Sequence, residues 1–168
     1  MTTIVSGFIF CLNNTNRTVE EYIKHGIKLL KLPQNKVIFI DEKIFNLLEK
    51  YQNKQTILIK TKIEDLYLNK YKLQPEINTD NPTKDSYDYF SIQCNKTEWI
   101  RDAINRNFFN TEQFIWIDFG IYHILSDIPI INKIYDKVRI ANILFDKSLM
   151  FNKLPICPPI STVKNNGQ

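Results

Sequence analysis

The sequence predicts an α/β protein: a Rossmann-like, mainly parallel sheet with helices on both faces. Short apolar runs rich in β-branched and aromatic residues alternate along the chain with segments whose apolar residues recur at helical spacing. The 168 residues are enough for one domain with a buried core. We place that domain at residues 1–145 and a C-terminal tail at residues 146–168.

Five segments have the composition of strands, and the first, residues 3–12, is almost continuously apolar, as in a central strand covered on both faces. The others are residues 36–40, 56–59, 114–119 and 138–145. We expect the first strand to be central, with the second and third on one side and the fourth on the other. This order, 3-2-1-4, differs from the order 2-1-3-4 of a flavodoxin-like nucleotide-binding or phosphotransfer domain, the rival interpretation.

Helices are predicted between the strands. Thr18 and Glu21 have the spacing of a capping box, which begins a helix that ends near Pro33. Further helices are expected at residues 44–51, 63–71 and from residue 95 onward, with a turn or short helix at residues 126–135. Residues 73–94 contain two prolines and several Asp and Asn, so that segment is predicted to be mostly loop.

Composition limits the partners. The net charge of +4 is spread along the chain, which disfavours nucleic acid as the main partner. The three cysteines, Cys11, Cys94 and Cys157, form no CxxC pair, so neither a disulfide framework nor a zinc site is supported. Reduced cysteines, with no signal peptide or membrane span, predict a cytoplasmic protein. The sequence leaves open whether the chain forms a homo-oligomer.

Polar residues follow the predicted strands at the edge where α/β sheets bind ligands. Asp118 ends the apolar run of the fourth strand. As a functional residue, it would hold Mn²⁺ or Mg²⁺ bridging a diphosphate, or orient a sugar hydroxyl. As a structural residue, it would cap a helix or pair with a lysine. The residue two positions on, where a second acid is expected, is Gly120.

Four other residues join Asp118 as candidates for binding a ligand, together with the polar turn at Asn13. Asp41 follows the second strand, where an acid receives ribose or base hydroxyls, but an acid there also complements a helix dipole. Lys96 lies in the first turn of its helix, where a cation indicates a nearby anion such as phosphate. The alternative is a solvated lysine with no ligand, and Arg17 has the same two interpretations. His123 follows the turn after Asp118 and lies within reach of the same site, whereas His25 is expected to be structural.

The sequence contains no nucleophile elbow, Walker loop, GxGxxG or HExxH motif, and only four glycines. It also offers no residue that we identify as a catalytic base.

Six segments together resemble the HtrL/YibB family. They are residues 16–18 (NRT), 21–22 (EY), 37–42 (VIFIDE), 95–97 (NKT), 108–111 (FFNT) and 114–121 (FIWIDFGI). The resemblance extends over roughly residues 3–145, and its WID-x-GI core is the most specific part. The family is associated with lipopolysaccharide core gene clusters in bacteria and occurs elsewhere, including in large DNA viruses.

The resemblance implies a GT-A-like glycosyltransferase domain that binds a nucleotide-sugar and transfers a hexosyl unit. It would place Asp41 near the nucleotide, Lys96 near the phosphates or ribose, and Asp118 at the metal-binding acid position. Two departures from the family favour a rival interpretation. Gly120 replaces the second acid, and the chain ends soon after the fifth predicted strand, so that the acceptor-side half of the family is expected to be missing. The rival is a truncated, non-catalytic α/β binding or interaction module.

Overall fold

Four parallel strands form a sheet in the order β3-β2-β1-β4. The strands are β1 (Thr2–Phe8), β2 (Asn35–Asp41), β3 (Thr56–Thr61) and β4 (Gln113–Trp116). This is the order expected from the sequence, with β1 central, and it differs from the flavodoxin-like order. The predicted parallel α/β fold is therefore confirmed, and the rival order is wrong for these strands.

The structure, a computed structural model, describes residues 1–11, 17–72 and 86–128. All of them lie in the unit Met1–Ile134. Several predictions fall outside the described residues, namely those for Asn13, Cys157, the strand at residues 138–145 and the tail. The turn predicted at residues 126–135 is described only as far as residue 128.

Within the described residues, five helices accompany the strands: α1 (Val19–Leu30), α2 (Glu42–Leu48), α3 (Tyr67–Lys70), α4 (Tyr87–Cys94) and α5 (Lys96–Arg106). Short 3₁₀ turns occur at Glu49–Tyr51, Ile63–Asp65 and Ile121–His123. The capping box predicted for α1 is present, because Thr18 Oγ1 accepts from the Glu21 amide and the Glu21 side chain accepts from the Thr18 amide. Within the described residues, no helix combines the length and apolar character that crossing a membrane requires.

The predicted loop at residues 73–94 is wrong over its last part, because α4 occupies Tyr87–Cys94. Ser86 caps this helix by accepting a hydrogen bond from the Tyr89 amide at 3.2 Å. Its sequence, YDYFSIQC, mixes polar and aromatic residues without a single apolar face, so periodicity did not reveal it. Strand ends also differ, since β1 stops at Phe8 and β4 stops at Trp116.

The core has one layer on each face of the sheet. Side chains of α1 and α2, including Leu29 and Leu48, pack against one face. Side chains of α5, Trp99 and Ala103, pack against the other face with Val5 and Phe39. The helix that follows β1 and the helix that precedes β4 therefore lie on opposite faces of the sheet. This change of face opens a crevice at the carboxyl ends of β1 and β4.

Trp99 lies directly on the backbone of β1. A Cβ atom at Gly7 would lie 2.6 Å from two atoms of the Trp99 ring, which is closer than van der Waals contact. The Trp99 ring is itself stacked against Phe39 and Trp116, with centroid distances of 5.7 and 5.9 Å. Glycine at position 7 is therefore what allows α5 to approach the sheet this closely.

Lys36 is buried near the amino end of β2, with 1% of its surface exposed. Its Nζ donates to the carbonyl oxygens of Leu32 and Gln34, both at 2.6 Å. Burial lowers the pKa of Lys36 to about 8. The folded protein therefore binds this proton more weakly than the unfolded chain does.

Replacing Gly7 with alanine should lower the free energy of unfolding by about 1–3 kcal/mol, because the new methyl group overlaps the stacked Trp99 ring. Ser6→Ala is the matched control on the adjacent residue. The Ser6 hydroxyl is buried without a hydrogen-bond partner in the described part of the chain, so its removal should be neutral or stabilise by up to ~1 kcal/mol. Urea unfolding measures both variants, and equal effects would contradict the packing argument.

The free energy of unfolding should rise with pH between about 8 and 10.5, relative to a Lys36→Met variant. In this window the unfolded chain still holds the Lys36 proton while the folded protein has released it. The difference should reach about 3 kcal/mol at most, since one pKa unit corresponds to about 1.4 kcal/mol.

Urea unfolding at several pH values measures this difference, and the same series on Lys54→Met, at an exposed lysine, is the control. If wild type and Lys36→Met have parallel pH profiles, the lowered pKa of Lys36 is contradicted.

Candidate functional site

A cleft of about 350 Å³ lies where the carboxyl ends of β1 and β4 meet α1, α4 and α5. Its position is the switch point that the sheet order predicts. Its charged and polar lining residues are Arg17, Tyr22, Tyr89, Gln93, Lys96, Asp118 and His123. One wall is formed by Phe8 at the end of β1 and by the segment that follows, which includes Phe10 and Cys11. Four of the predicted site residues are thus brought together.

Asp118 lies two residues after β4, and its carboxylate is held at one oxygen. Oδ1 accepts from Lys96 Nζ at 2.7 Å and from the Trp116 indole N–H at 2.8 Å. No described residue donates to the other oxygen, Oδ2, and 54% of the side chain is exposed. The carboxylate is therefore fixed in position while Oδ2 stays available to a ligand.

Lys96 is the first residue of α5, and its anion within the protein is Asp118. Its ammonium also lies 5.7 Å from the centroid of the Trp116 ring, within the range of a cation–π contact. Asp118 supplies an anion beside this cation, and a phosphate bound at Lys96 stays a prediction. An ion pair this exposed contributes at most ~1 kcal/mol to stability, so stability alone does not account for it.

Arg17 contributes a second cation to the cleft. Its guanidinium lies 5.8 Å from the centroid of the Tyr22 ring. None of the described acids lies within salt-bridge distance of Arg17. A cation at a cleft with no counter-ion among the described residues is suited to an anionic ligand.

His123 closes the 3₁₀ turn after Gly120, and its Nδ1 donates to the Gly120 carbonyl oxygen at 2.6 Å. Because a carbonyl oxygen only accepts, Nδ1 carries the hydrogen, and Nε2 of the neutral ring is the nitrogen that can accept a proton. The ring meets His25 of α1 edge-on, with centroids 6.3 Å apart. Burial, followed by the charges of Lys28 and His123, lowers the pKa of His25. His25 does not line the cleft.

Asp41 is not among the residues that line the cleft. Its side chain is buried, with Oδ1 accepting from the Lys43 amide at 3.0 Å and Oδ2 from the Phe10 amide at 3.1 Å. The structural interpretation of Asp41 as a residue at the start of α2 is thus confirmed. Its contribution to the cleft is to hold the backbone of Phe10, and its direct contact with a ligand stays a prediction.

Two tyrosines of the cleft were missed in the sequence. Tyr22 lies on α1, and Tyr89 lies on α4, in the segment predicted to be mostly loop. Burial raises the pKa of Tyr89, with smaller contributions from Tyr22 and Asp118. The sequence signal that could have predicted α4 was Ser86, a helix-capping residue, followed by a run of aromatic residues.

The acids near the cleft are few. Asp118 is the only carboxylate among the described residues that line it. Within the described ranges, no group of three or more His, Cys, Asp or Glu side chains is arranged to hold a metal ion. The positively charged Nζ of Lys96 lies 2.7 Å from Oδ1 of Asp118, where it repels a second cation.

Residues 72–141 match the model of a family described as "Bacterial protein of unknown function (HtrL_YibB)". The matched segment includes α4, α5 and β4, with Lys96, Asp118 and His123, whereas Arg17 lies outside it. No curated protein and no solved structure matches the chain. The match confirms the resemblance found in the sequence and supports membership of this chain in the HtrL/YibB family.

Proposed function

We propose that the cleft binds a nucleotide-sugar and that the protein is a GT-A-like glycosyltransferase. The observation that carries this proposal is the position of two cations, Arg17 and Lys96, in one cleft with Asp118 at the switch point of a parallel sheet. Ligands of open α/β sheets bind at this place. The cleft, at about 350 Å³, lies within the size range of small-molecule sites.

Each group suits one part of such a ligand. A diphosphate carries negative charge that guanidinium and ammonium groups bind through charge-assisted hydrogen bonds, which supports a role for Arg17 and Lys96. Oδ2 of Asp118 suits a hydroxyl of ribose or of the sugar as a hydrogen-bond acceptor. The aromatic rings of Tyr22 and Tyr89 line the cleft, where aromatic surface suits the base or the sugar.

Glycosyl transfer breaks the bond between the sugar carbon and a diphosphate oxygen, and forms a bond from that carbon to an acceptor hydroxyl. The nucleoside diphosphate leaves with the electron pair of the broken bond, and the acceptor loses a proton. Among the described residues of the cleft, the imidazole of His123 is the group suited to take up this proton, through Nε2. We assign this role to His123 as part of the proposal.

A second candidate function is binding of the same ligand without transfer. The observation that favours it is the engagement of Asp118, the one acid among the described lining residues, by both Lys96 and Trp116. Release of UDP or GDP from a bound donor separates the two candidates, since the binding module releases none.

Titration of UDP-sugars and GDP-sugars by calorimetry, with and without Mn²⁺, should show that at least one donor binds. Arg17→Met should weaken that binding by about tenfold or more, because a charge-assisted hydrogen bond contributes about 1.5–3 kcal/mol. Arg101→Met is the matched control, because Arg101 pairs with Glu98 on α5 and does not line the cleft. If no donor binds under any condition, the proposal is wrong.

A further inference from the structure

We infer that Lys96 takes the place of a divalent cation at Asp118, so that the cleft binds the diphosphate of its ligand without a metal ion. This inference rests on the proposed function and specifies how the same site recognises its ligand. It runs against the metal-binding role that the family resemblance implies for Asp118.

The first observation is the occupation of Asp118. Its Oδ1 already accepts two hydrogen bonds, one from the Lys96 ammonium and one from the Trp116 indole. The indole is held in place because its ring is stacked 5.9 Å from the Trp99 ring, with the two planes 7° apart. A metal ion bound at Oδ1 would therefore have to displace an ammonium and an N–H that is fixed by packing.

The second observation is the shortage of metal ligands. Mg²⁺ and Mn²⁺ prefer several oxygen ligands in octahedral geometry, and the described lining of the cleft offers one carboxylate. A second acid two positions after Asp118 would have to replace Gly120. A Cβ atom there would lie 3.0 Å from the Tyr22 ring, so a carboxylate at position 120 would crowd that ring.

The third observation is the charge of the cleft. Among the described residues, the charged lining residues are Arg17, Lys96 and Asp118, which sum to a formal charge of +1. A divalent cation is held at a protein by carboxylates, which bring negative charge to the site. Here the excess is basic, so the protein itself supplies positive charge for the diphosphate.

Lys96 can serve both partners at once. An ammonium has three N–H donors, and one is used by Asp118. The other two have no acceptor among the described residues, and 27% of the side chain is exposed. Asp118 and Trp116 hold the ammonium at the cleft, where its remaining donors are available to phosphate oxygens.

The test is calorimetric titration of UDP and of GDP into the full chain, once in EDTA and once in excess Mn²⁺. The nucleotide that binds should do so with dissociation constants that agree within about threefold in the two conditions. Lys96→Met should weaken binding in EDTA by about tenfold or more, because a charge-assisted hydrogen bond is lost. Mn²⁺ should restore part of the loss, since the carboxylate of Asp118 is then free to hold a cation.

Two further variants sharpen the test. Lys96→Arg keeps the positive charge and should keep binding independent of Mn²⁺. Lys62→Met removes an exposed lysine that pairs with Glu42 outside the cleft, and should behave as wild type. Circular dichroism melting curves should show that all the variants fold, because the pair of Lys96 with Asp118 is partly exposed.

Wild-type binding that requires Mn²⁺ would overturn the inference and leave the proposed function in place. Binding of neither nucleotide in either condition would overturn both.

Discussion

The packing of Trp99 on the backbone of Gly7 is the constraint on which the site depends. It brings α5 close to β1, and it places the Trp99 ring against Trp116 at the end of β4. Trp116 in turn donates to Asp118, which binds the ammonium at the start of α5. A helix, a strand and the turn beyond that strand are thus joined by one aromatic stack and one carboxylate.

On the opposite face of the sheet, at the same edge, a second glycine allows an aromatic ring to pack directly on a backbone. A Cβ atom at Gly26 of α1 would lie 2.0 Å from the Phe119 ring, which therefore packs directly on the α1 backbone. Phe119 immediately follows Asp118 and also stacks with Phe8 at 5.4 Å. The turn that carries Asp118 is accordingly fixed from both faces of the sheet, even though its carboxylate is more than half exposed. Rigid support beneath an exposed polar group is the arrangement expected of a binding site.

The sequence predicted the features that depend on local pattern. The 3-2-1-4 order, the capping box of α1 and the gathering of Arg17, Lys96, Asp118 and His123 at one edge follow from alternating elements and strand ends. The pairing of Lys96 with Asp118 could not be predicted in the same way, because 22 residues separate them and only tertiary packing decides which oxygen is used. The hydrogen bond from Trp116 to Asp118 also depends on packing, because the stacking of the indole on Trp99 orients its N–H. The partner of Asp41 could not be predicted for the same reason. Its carboxylate is already used by the backbone amide of Phe10, which is 31 residues away in the sequence.

A crystal structure of the chain with bound UDP, grown without added metal, would test directly whether Arg17 and Lys96 bind the diphosphate without a metal ion. We expect diphosphate oxygens within hydrogen-bond distance of Lys96 Nζ and the Arg17 guanidinium, with Asp118 still hydrogen-bonded to Lys96 and Trp116. A diphosphate bound away from Arg17 and Lys96 would contradict it. So would a metal ion on Asp118 with Lys96 displaced.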